Sequence, residues 1–384
     1  MRCSPFRFAQ RAVDLIQHDP KGRAVTALHE SPPEGTATAS GQGERQPIRV
    51  MLCCNPGYYQ HLAVALASLL ANNQWYALDI TIVTSGRDAE AERRLLGTLP
   101  SHPDVKLHIK HFELDGLRAL PTSHHITAET YLRILVLDML PPDCDKIIYL
   151  DCDLVVLAAL KGLWETDIGR YALAAVPDPY GAERPDALGM PEGTAYVNAG
   201  VLFINVARWR AQGLAARVID YASRAGSRLE YHDQDAINAV LYGQILTLPL
   251  RWNCQARMFR ANGSLTRLDR TAIRAATGDP AIIHYTTAQK PWMFTAFMPK
   301  RALYHRYLAL TAWRGAPLTR RSLGYLPEAL FNGAAYALGS SFTFDLFLRT
   351  TNAGRVLVRG GRLIRCLGSF MRPGALPAAR GGGR

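Results

Sequence analysis

No run of about 18 or more apolar residues occurs in the 384-residue sequence, so no transmembrane helix is expected. The opening residues, MRCSPFRFAQ, lack the continuous apolar stretch of a secretory signal. None of the seven cysteines stands in a C-x-x-C pair. Several lie inside apolar runs, where a reduced cysteine behaves as a small hydrophobe. That pattern points to a reducing compartment without structural zinc. No repeat with a period of roughly 20–50 residues is present, which excludes a solenoid. Lysine is missing from residues 316–384, where ten arginines face only Glu328 and Asp345, a balance of +8. Across the whole chain 44 Lys+Arg oppose 32 Asp+Glu, a net charge of +12. Residues 1–47 carry +1 and residues 48–315 carry +3, so the body is nearly neutral and the tail is basic. A basic balance suits nucleic acid, an anionic membrane surface or acidic ligands. The charge is terminal and no nucleic-acid recognition module is visible, so nucleic acid is not the expected partner.

What is present is enough for a large core, with 48% hydrophobic and 20% charged residues. Residues 1–47 end in SPPEGTATASGQGERQP and are expected to be mostly disordered, with a short helix near 8–17. The body then alternates. Strands are expected at 48–54, 78–84, 105–112 and 146–150. Helices are expected at 59–70, 88–99 (capped by Ser85) and 127–140. Such alternation implies an α/β fold with a parallel sheet and helices on both faces. Ligands in such sheets bind outside the carboxyl ends of the strands. That rule marks 54–58 and 151–153. Further strands are expected at 172–176, 201–204, 245–248 and 282–285, and helices at 207–222 and 234–241.

The strongest chemical signal is Lys146-Ile-Ile-Tyr-Leu-Asp151-Cys-Asp153. Two carboxylates at the end of a buried strand need a partner, and Mg²⁺ or Mn²⁺ prefers such oxygen ligands. A pair of acids facing solvent would look the same. So would the opening of a haloacid-dehalogenase-type phosphatase, with Asp151 as nucleophile, although that fold begins with this strand and no downstream acidic pair is evident. His284, in Ile282-Ile-His284-Tyr-Thr-Thr-Ala-Gln-Lys290-Pro-Trp292, could complete a metal site, with Lys290 meeting a phosphate. Read blandly, it is a hydrogen-bonded core histidine. In His232-Asp233-Gln234-Asp235, Asp233 could simply cap the following helix. Tyr196-Val-Asn198-Ala-Gly200 could be a loop entering a buried strand.

Taken together and in this order, these segments resemble glycosyltransferase family 8, the retaining transferases that include bacterial lipopolysaccharide galactosyl- and glucosyltransferases and glycogenin. The resemblance runs over roughly 48–316, and includes the opening RVMLCCNPGYYQHLAVALASLL and Tyr131-x-Arg133. It implies a GT-A fold, a Rossmann-like, mostly parallel sheet flanked by helices, with Mn²⁺ (or Mg²⁺) and a UDP-sugar donor. On matching positions it implies that Asp151, Asp153 and His284 hold the metal and that Lys290 contacts the diphosphate. Arg133, Asp178 and Asn198 would orient donor-sugar hydroxyls, joined by Asp233. Gln234 would lie beside the anomeric carbon, opposite the leaving UDP. Two positions depart from the family. Its usual acids after the first strand are replaced by Cys54-Asn55-Pro56-Gly57-Tyr58, where Asn55 can bond an imide edge and Tyr58 can stack on a base. Thr287 stands where a glycine is usual.

The expected organisation is a mostly disordered 1–47, a catalytic domain over 48–316 and a basic tail over 317–384. On a helical wheel Arg355, Arg359, Arg362 and Arg365 oppose Val356, Leu363, Leu367, Phe370 and Met371, a pattern suited to an anionic membrane or to docking on the body. The expected protein is a hexosyltransferase for a lipopolysaccharide-type or other glycan acceptor, cytoplasmic and peripheral at the inner face of a bacterial inner membrane.

Overall fold

A computed structural model describes residues 46–98, 104–113, 128–179, 181, 183–259 and 268–337. The helices expected near 8–17 and around 355–371 lie outside them. The chain divides into two units, 1–293 with 298–319, and 294–297 with 320–384.

The first unit begins with β1 (Ile48–Cys54), α1 (Tyr59–Ala71), β2 (Leu78–Thr84), α2 (Ala89–Thr98) and β3 (Val105–His111). A short α3 (Leu132–Leu135) precedes β4 (Lys146–Leu150) and β5 (Leu154–Val156). After α4 (Lys161–Trp164) come β6 (Leu173–Pro177), α5 (Arg184–Ala187) and β7 (Val197–Asn205). Then follow α6 (Val206–Ala211), α7 (Leu214–Ala225), α8 (His232–Leu241), β8 (Ile245–Thr247) and β9 (Cys254–Gln255). The unit closes with α9 (Arg270–Gly278), β10 (Ile282–His284) and α10 (Arg301–Leu308).

Seven strands form one sheet in the order β3-β2-β1-β4-β7-β6-β8. All pairs are parallel except those of β7, which runs antiparallel to β4 and β6. Strand order reverses between β1 and β4, which opens a crevice at their carboxyl ends. The period-2 pattern of the central strands divides the core between two faces. Val50, Leu52, Ile148 and Leu150 pack on one with Leu62 and Leu66 of α1. Met51, Ile147 and Tyr149 pack on the other with Ile134, Trp209 and Val218. Because both faces are covered, these strands read as apolar runs rather than alternating ones.

A smaller sheet, β5-β10-β9, stands beside the first. It is tied to α1 and to the two residues that follow the helix by polar side chains. Ser68 Oγ accepts from Val156 N at 2.9 Å and donates to Ala65 O at 2.7 Å. Asn72 Nδ2 donates to Val156 O at 3.0 Å, and Asn73 Oδ1 accepts from Leu160 N at 2.7 Å. The two bonds to Val156 satisfy the free edge of β5, the strand that leaves Asp153, and the Asn73 bond holds the turn after it.

Some expectations need correction. The helix expected over 207–222 is broken at Gly213, whose φ of 58° a non-glycine residue adopts only with strain. The segment expected as one helix over 127–140 is α3 between tighter 3₁₀ turns, closed by an extended Leu140 before Pro141. Ser85 does not cap α2. Asp88 Oδ1 does, accepting from Glu90 N at 3.1 Å and Ala91 N at 2.9 Å, while Ser85 Oγ donates to Glu129 at 2.8 Å.

In the second unit, α11 (Leu326–Ala337) contains Asn332, whose Nδ2 donates to Thr295 O at 3.0 Å. Leu323 and Leu330 are 87% and 66% exposed.

Ser68→Ala should cost about 1–3 kcal/mol in urea denaturation, because the buried Val156 N–H loses its acceptor. A loss below about 0.5 kcal/mol would show that this edge is satisfied by other means.

Candidate active site

The crevice predicted by strand order is where the acidic pair lies. Asp151 follows β4 directly, and its N–H donates to Gly200 O of β7 at 2.8 Å. Its Oδ1 accepts from Tyr149 Oη at 2.7 Å and lies 3.1 Å from Arg133 Nη2. Its Oδ2 faces His284 Nε2 at 3.6 Å. Asp153 Oδ1 lies 3.1 Å from the same nitrogen, and its Oδ2 accepts from Lys290 Nζ. Lys290 also donates to Tyr285 O at 2.9 Å, while Tyr285 N donates to Asp153 O at 2.9 Å. The loop after β10 is thereby held against the D-x-D turn.

Burial alone would raise the Asp153 carboxyl, but the Lys290 ammonium beside it holds it well below the usual carboxylate range. Burial pushes the Tyr149 hydroxyl well above its ordinary value, so Tyr149 stays a donor. Arg133 is buried too, which on its own lowers its pKa, yet the neighbouring acidic groups, Asp151 first and Asp233 among them, together outweigh this and keep the guanidinium charged.

One ligand atom each from Asp151, Asp153 and His284 lies within 4.8 Å of the others, two carboxylate oxygens and an imidazole nitrogen. That donor set suits a divalent cation of the Mn²⁺ type. The backbone leaves room for it. A Cβ on Gly200 would stand 2.1 Å from His284 Cε1 and 2.7 Å from Asp151 Oδ2. Close by in sequence or across the strand pair, Thr286 Oγ1, Gln289 Nε2 and both amide atoms of Gln255 are buried with no hydrogen-bond partner among the described residues. Such atoms mark a place made for a polar ligand.

A second cluster adjoins this one. Gln234 Oε1 accepts from Ala199 N at 3.0 Å and Asn198 Nδ2 at 3.1 Å. Its Nε2 donates to Asp178 Oδ2 at 2.9 Å and Tyr196 Oη at 3.1 Å. Asn198 Nδ2 also reaches Asp178 Oδ2 at 3.1 Å. Arg133 joins the two clusters. Its Nε lies 3.1 Å from Asp233 Oδ2 but directs its hydrogen to Thr130 O at 3.0 Å, and its Nη1 donates to Ala199 O at 2.5 Å. Asp233 Oδ2 therefore has a charge partner but no hydrogen bond. Burial pushes its carboxyl up to about 6, with Arg133 restraining the rise.

The structure thus brings Arg133, Asp151, Asp153, Asp178, Asn198, Asp233, Gln234, His284 and Lys290 into one connected site. Asn55 and Tyr58 lie beyond the end of β1, where Tyr58 packs edge-on against His61 at 5.1 Å and Trp292 at 6.0 Å. Asp233 does not cap α8, which begins at His232. Asp235 serves that end, accepting from Glu230 N at 2.8 Å and Tyr231 N at 3.0 Å and pairing with Arg184. Thr287 keeps the left-handed backbone that glycine favours, at φ 83°, a strain of about 1–3 kcal/mol. Sequence reasoning missed Tyr149 and Asn253. Tyr149 stands two residues before Asp151, on the same strand face; no local pattern marks Asn253.

A D-x-D turn at the switch point of a mostly parallel sheet, with its metal-type ligands, defines a GT-A glycosyltransferase. A galactosyltransferase, LgtC, solved with donor and acceptor sugar analogs, has this fold, with a TM-score of 0.62 at 23% identity over 72% of this chain and 99% of that one. The family model of glycosyl transferase family 8 matches residues 49–296. General stress protein A of Bacillus subtilis is 31% identical over 271 residues, covering 69% of this chain and 94% of that protein. A lipopolysaccharide 1,3-galactosyltransferase of Salmonella typhimurium is 24% identical over 297 residues, covering 74% and 86%. The chain belongs to glycosyltransferase family 8. The phosphatase and nucleic-acid alternatives find no support in these likenesses.

Gly200→Ala should cost about 1–3 kcal/mol in thermal denaturation and abolish transfer, since the new methyl must displace His284. A fully active variant would show that the ring has room to move. Asp233 supplies a pH test. Its raised pKa means that between 3.8 and about 6 the folded protein holds a proton the unfolded chain has released. Ionisation as pH rises through 6 therefore costs stability, while the charged form is the one that serves Arg133 and a ligand hydroxyl. The profile of kcat/KM should fall as pH drops through about 6. Asp233→Asn should be slower and lack that limb; an unchanged limb would assign it to another group.

Proposed function

We propose that the protein is a retaining hexosyltransferase that moves galactose or glucose from a UDP-sugar to a lipopolysaccharide-type glycan acceptor. The observation that carries this reading is the Asp151–Asp153–His284 cluster, cradled by Gly200 and joined through Arg133 to Asp233 and Gln234. The names of the lipopolysaccharide galactosyl- and glucosyltransferase relatives support the sugar and the acceptor.

The chemical problem is to expel a diphosphate from an anomeric carbon. Asp151, Asp153 and His284 would hold Mn²⁺ (or Mg²⁺), which supplies a Lewis acid against the charge growing on the leaving group. Lys290 adds a positive charge on the same side. Asn55 and Tyr58 hold the nucleoside. Asp178, Asn198, Arg133 and Asp233 orient the sugar hydroxyls. Gln234 faces the anomeric carbon on the side opposite UDP. It is an amide whose oxygen already accepts two hydrogen bonds, which makes it a poor nucleophile. Same-face attack follows. The acceptor oxygen bonds to the anomeric carbon as the carbon–oxygen bond to the diphosphate breaks, and the acceptor proton passes to a phosphate oxygen.

Catalysis lies in the 48–316 segment. The basic 317–384 tail would seat the enzyme on an anionic membrane at the cytoplasmic face. The exposed Leu323 and Leu330 support an apolar contact there. Among the described residues no helix is long and apolar enough to cross a membrane.

A UDP-release assay across UDP-sugars should show metal-dependent turnover of UDP-galactose or UDP-glucose, with Asp153→Asn reducing it by about 10²–10³-fold. Phosphate release from simple esters that depends on Asp151, with no UDP formed, would overturn the reading.

A further inference from the structure

The mechanism makes no use of Asn253, although it is fully buried and sits between the two clusters. It lies in the turn that leads into β9, the strand paired with β10. Its Oδ1 lies 3.1 Å from His284 Nδ1, and its Nδ2 lies 2.9 Å from Asn198 Oδ1.

Hydrogen positions follow from one end of this chain. Gly200 N is a backbone donor, and it reaches Asn198 Oδ1 at 3.0 Å. The Asn198 oxygen is therefore an acceptor and faces Asn253, so Asn253 must present its NH₂ group there. The other side of the same amide, its oxygen, is left toward His284. An amide oxygen carries only lone pairs, so His284 Nδ1 must carry the hydrogen. In the neutral ring Nε2 then bears the lone pair, and it is Nε2 that faces Asp153 and Asp151 at 3.1 and 3.6 Å. Those carboxylates pull the other way, since both would draw a proton onto Nε2. Nothing in the acidic pair itself selects the ligating tautomer.

We propose that Asn253 is a positioning residue that fixes His284 as the Nδ1–H tautomer, leaving Nε2 free to ligate a cation. The hydrogen bond to the second ring nitrogen decides which nitrogen of a ligating histidine stays available. The inference rests on the metal site of the proposed function. It differs from a space-filling role for a buried amide, which would need Asn253 only as a bridge to Asn198.

Nitrogen-15 NMR of histidine-labelled full-length protein distinguishes the two, with the His284 signal assigned by its loss in His284→Gln. The parent protein and Asn253→Asp should both show His284 protonated on Nδ1, because a carboxylate still accepts from that nitrogen. Asn253→Ala should show the proton moved to Nε2 and bind Mn²⁺ about 10–100-fold more weakly by electron paramagnetic resonance. An Nδ1–H ring in Asn253→Ala, or an Nε2–H ring in Asn253→Asp, overturns the proposal. If Asn253→Ala does not fold, the Asp variant decides it alone. A parent protein with the Nδ1–H tautomer but no affinity for Mn²⁺ would support the tautomer assignment while sinking the metal reading.

Discussion

Three carboxylates near the end of one buried strand must be compensated, and the rest of the site is arranged around that requirement. Asp151, Asp153 and Asp233 are largely withdrawn from water, where an isolated charge is costly. Arg133 reaches two of them, and Lys290 with His284 takes the third. The compensation is partial at two points. Among the described residues, Asp151 Oδ2 faces the edge of His284 at a distance too long for a hydrogen bond, and Asp233 Oδ2 has charge but no hydrogen bond. Those two carboxylate oxygens are the ones the protein's own groups leave least compensated.

The fold supplies this by convergence rather than by any one element. β4 leads into the acids, β10 supplies the histidine, β7 the Asn-Ala-Gly stretch and α8 the glutamine. Ser68 of α1 and Asn72 just after it hold β5, so the D-x-D turn is gripped on both sides. Gly200 belongs to the same logic. Removing one methyl group is what lets β7 run beneath the ring of His284.

Much of this was legible in the sequence because it is local. The central strands are mostly apolar segments of five to seven residues, long enough to declare themselves. The ordered motifs marked Asp151, Asp153, Asn198, Gln234, His284 and Lys290, and Asp178, whose surroundings are least distinctive, also falls in the site. What escaped is short or tertiary. β5 has three residues and β9 two, too few for any period to show. The break at Gly213 depends on a backbone angle that glycine permits but does not demand. Thr287 gives no hint of its left-handed backbone, which the surrounding loop imposes. Asn253 and Tyr149 matter only for what folding places beside them.

The connection between β6 and β7 is closed at its base. Asp178 N donates to Tyr196 O at 2.9 Å, just where Asp178 and Asn198 turn toward Gln234. Arg184, midway along, is fastened to Asp235 at the foot of α8. The two ends are thus registered to each other by a backbone bond at the base and by the Arg184 anchor. Insertions and exchanges in the intervening residues can reshape the rim of the crevice while Asp178, Asn198 and Gln234 stay where they are. In a lineage of such enzymes, this stretch is where a new acceptor could be acquired without relearning how to break the donor bond.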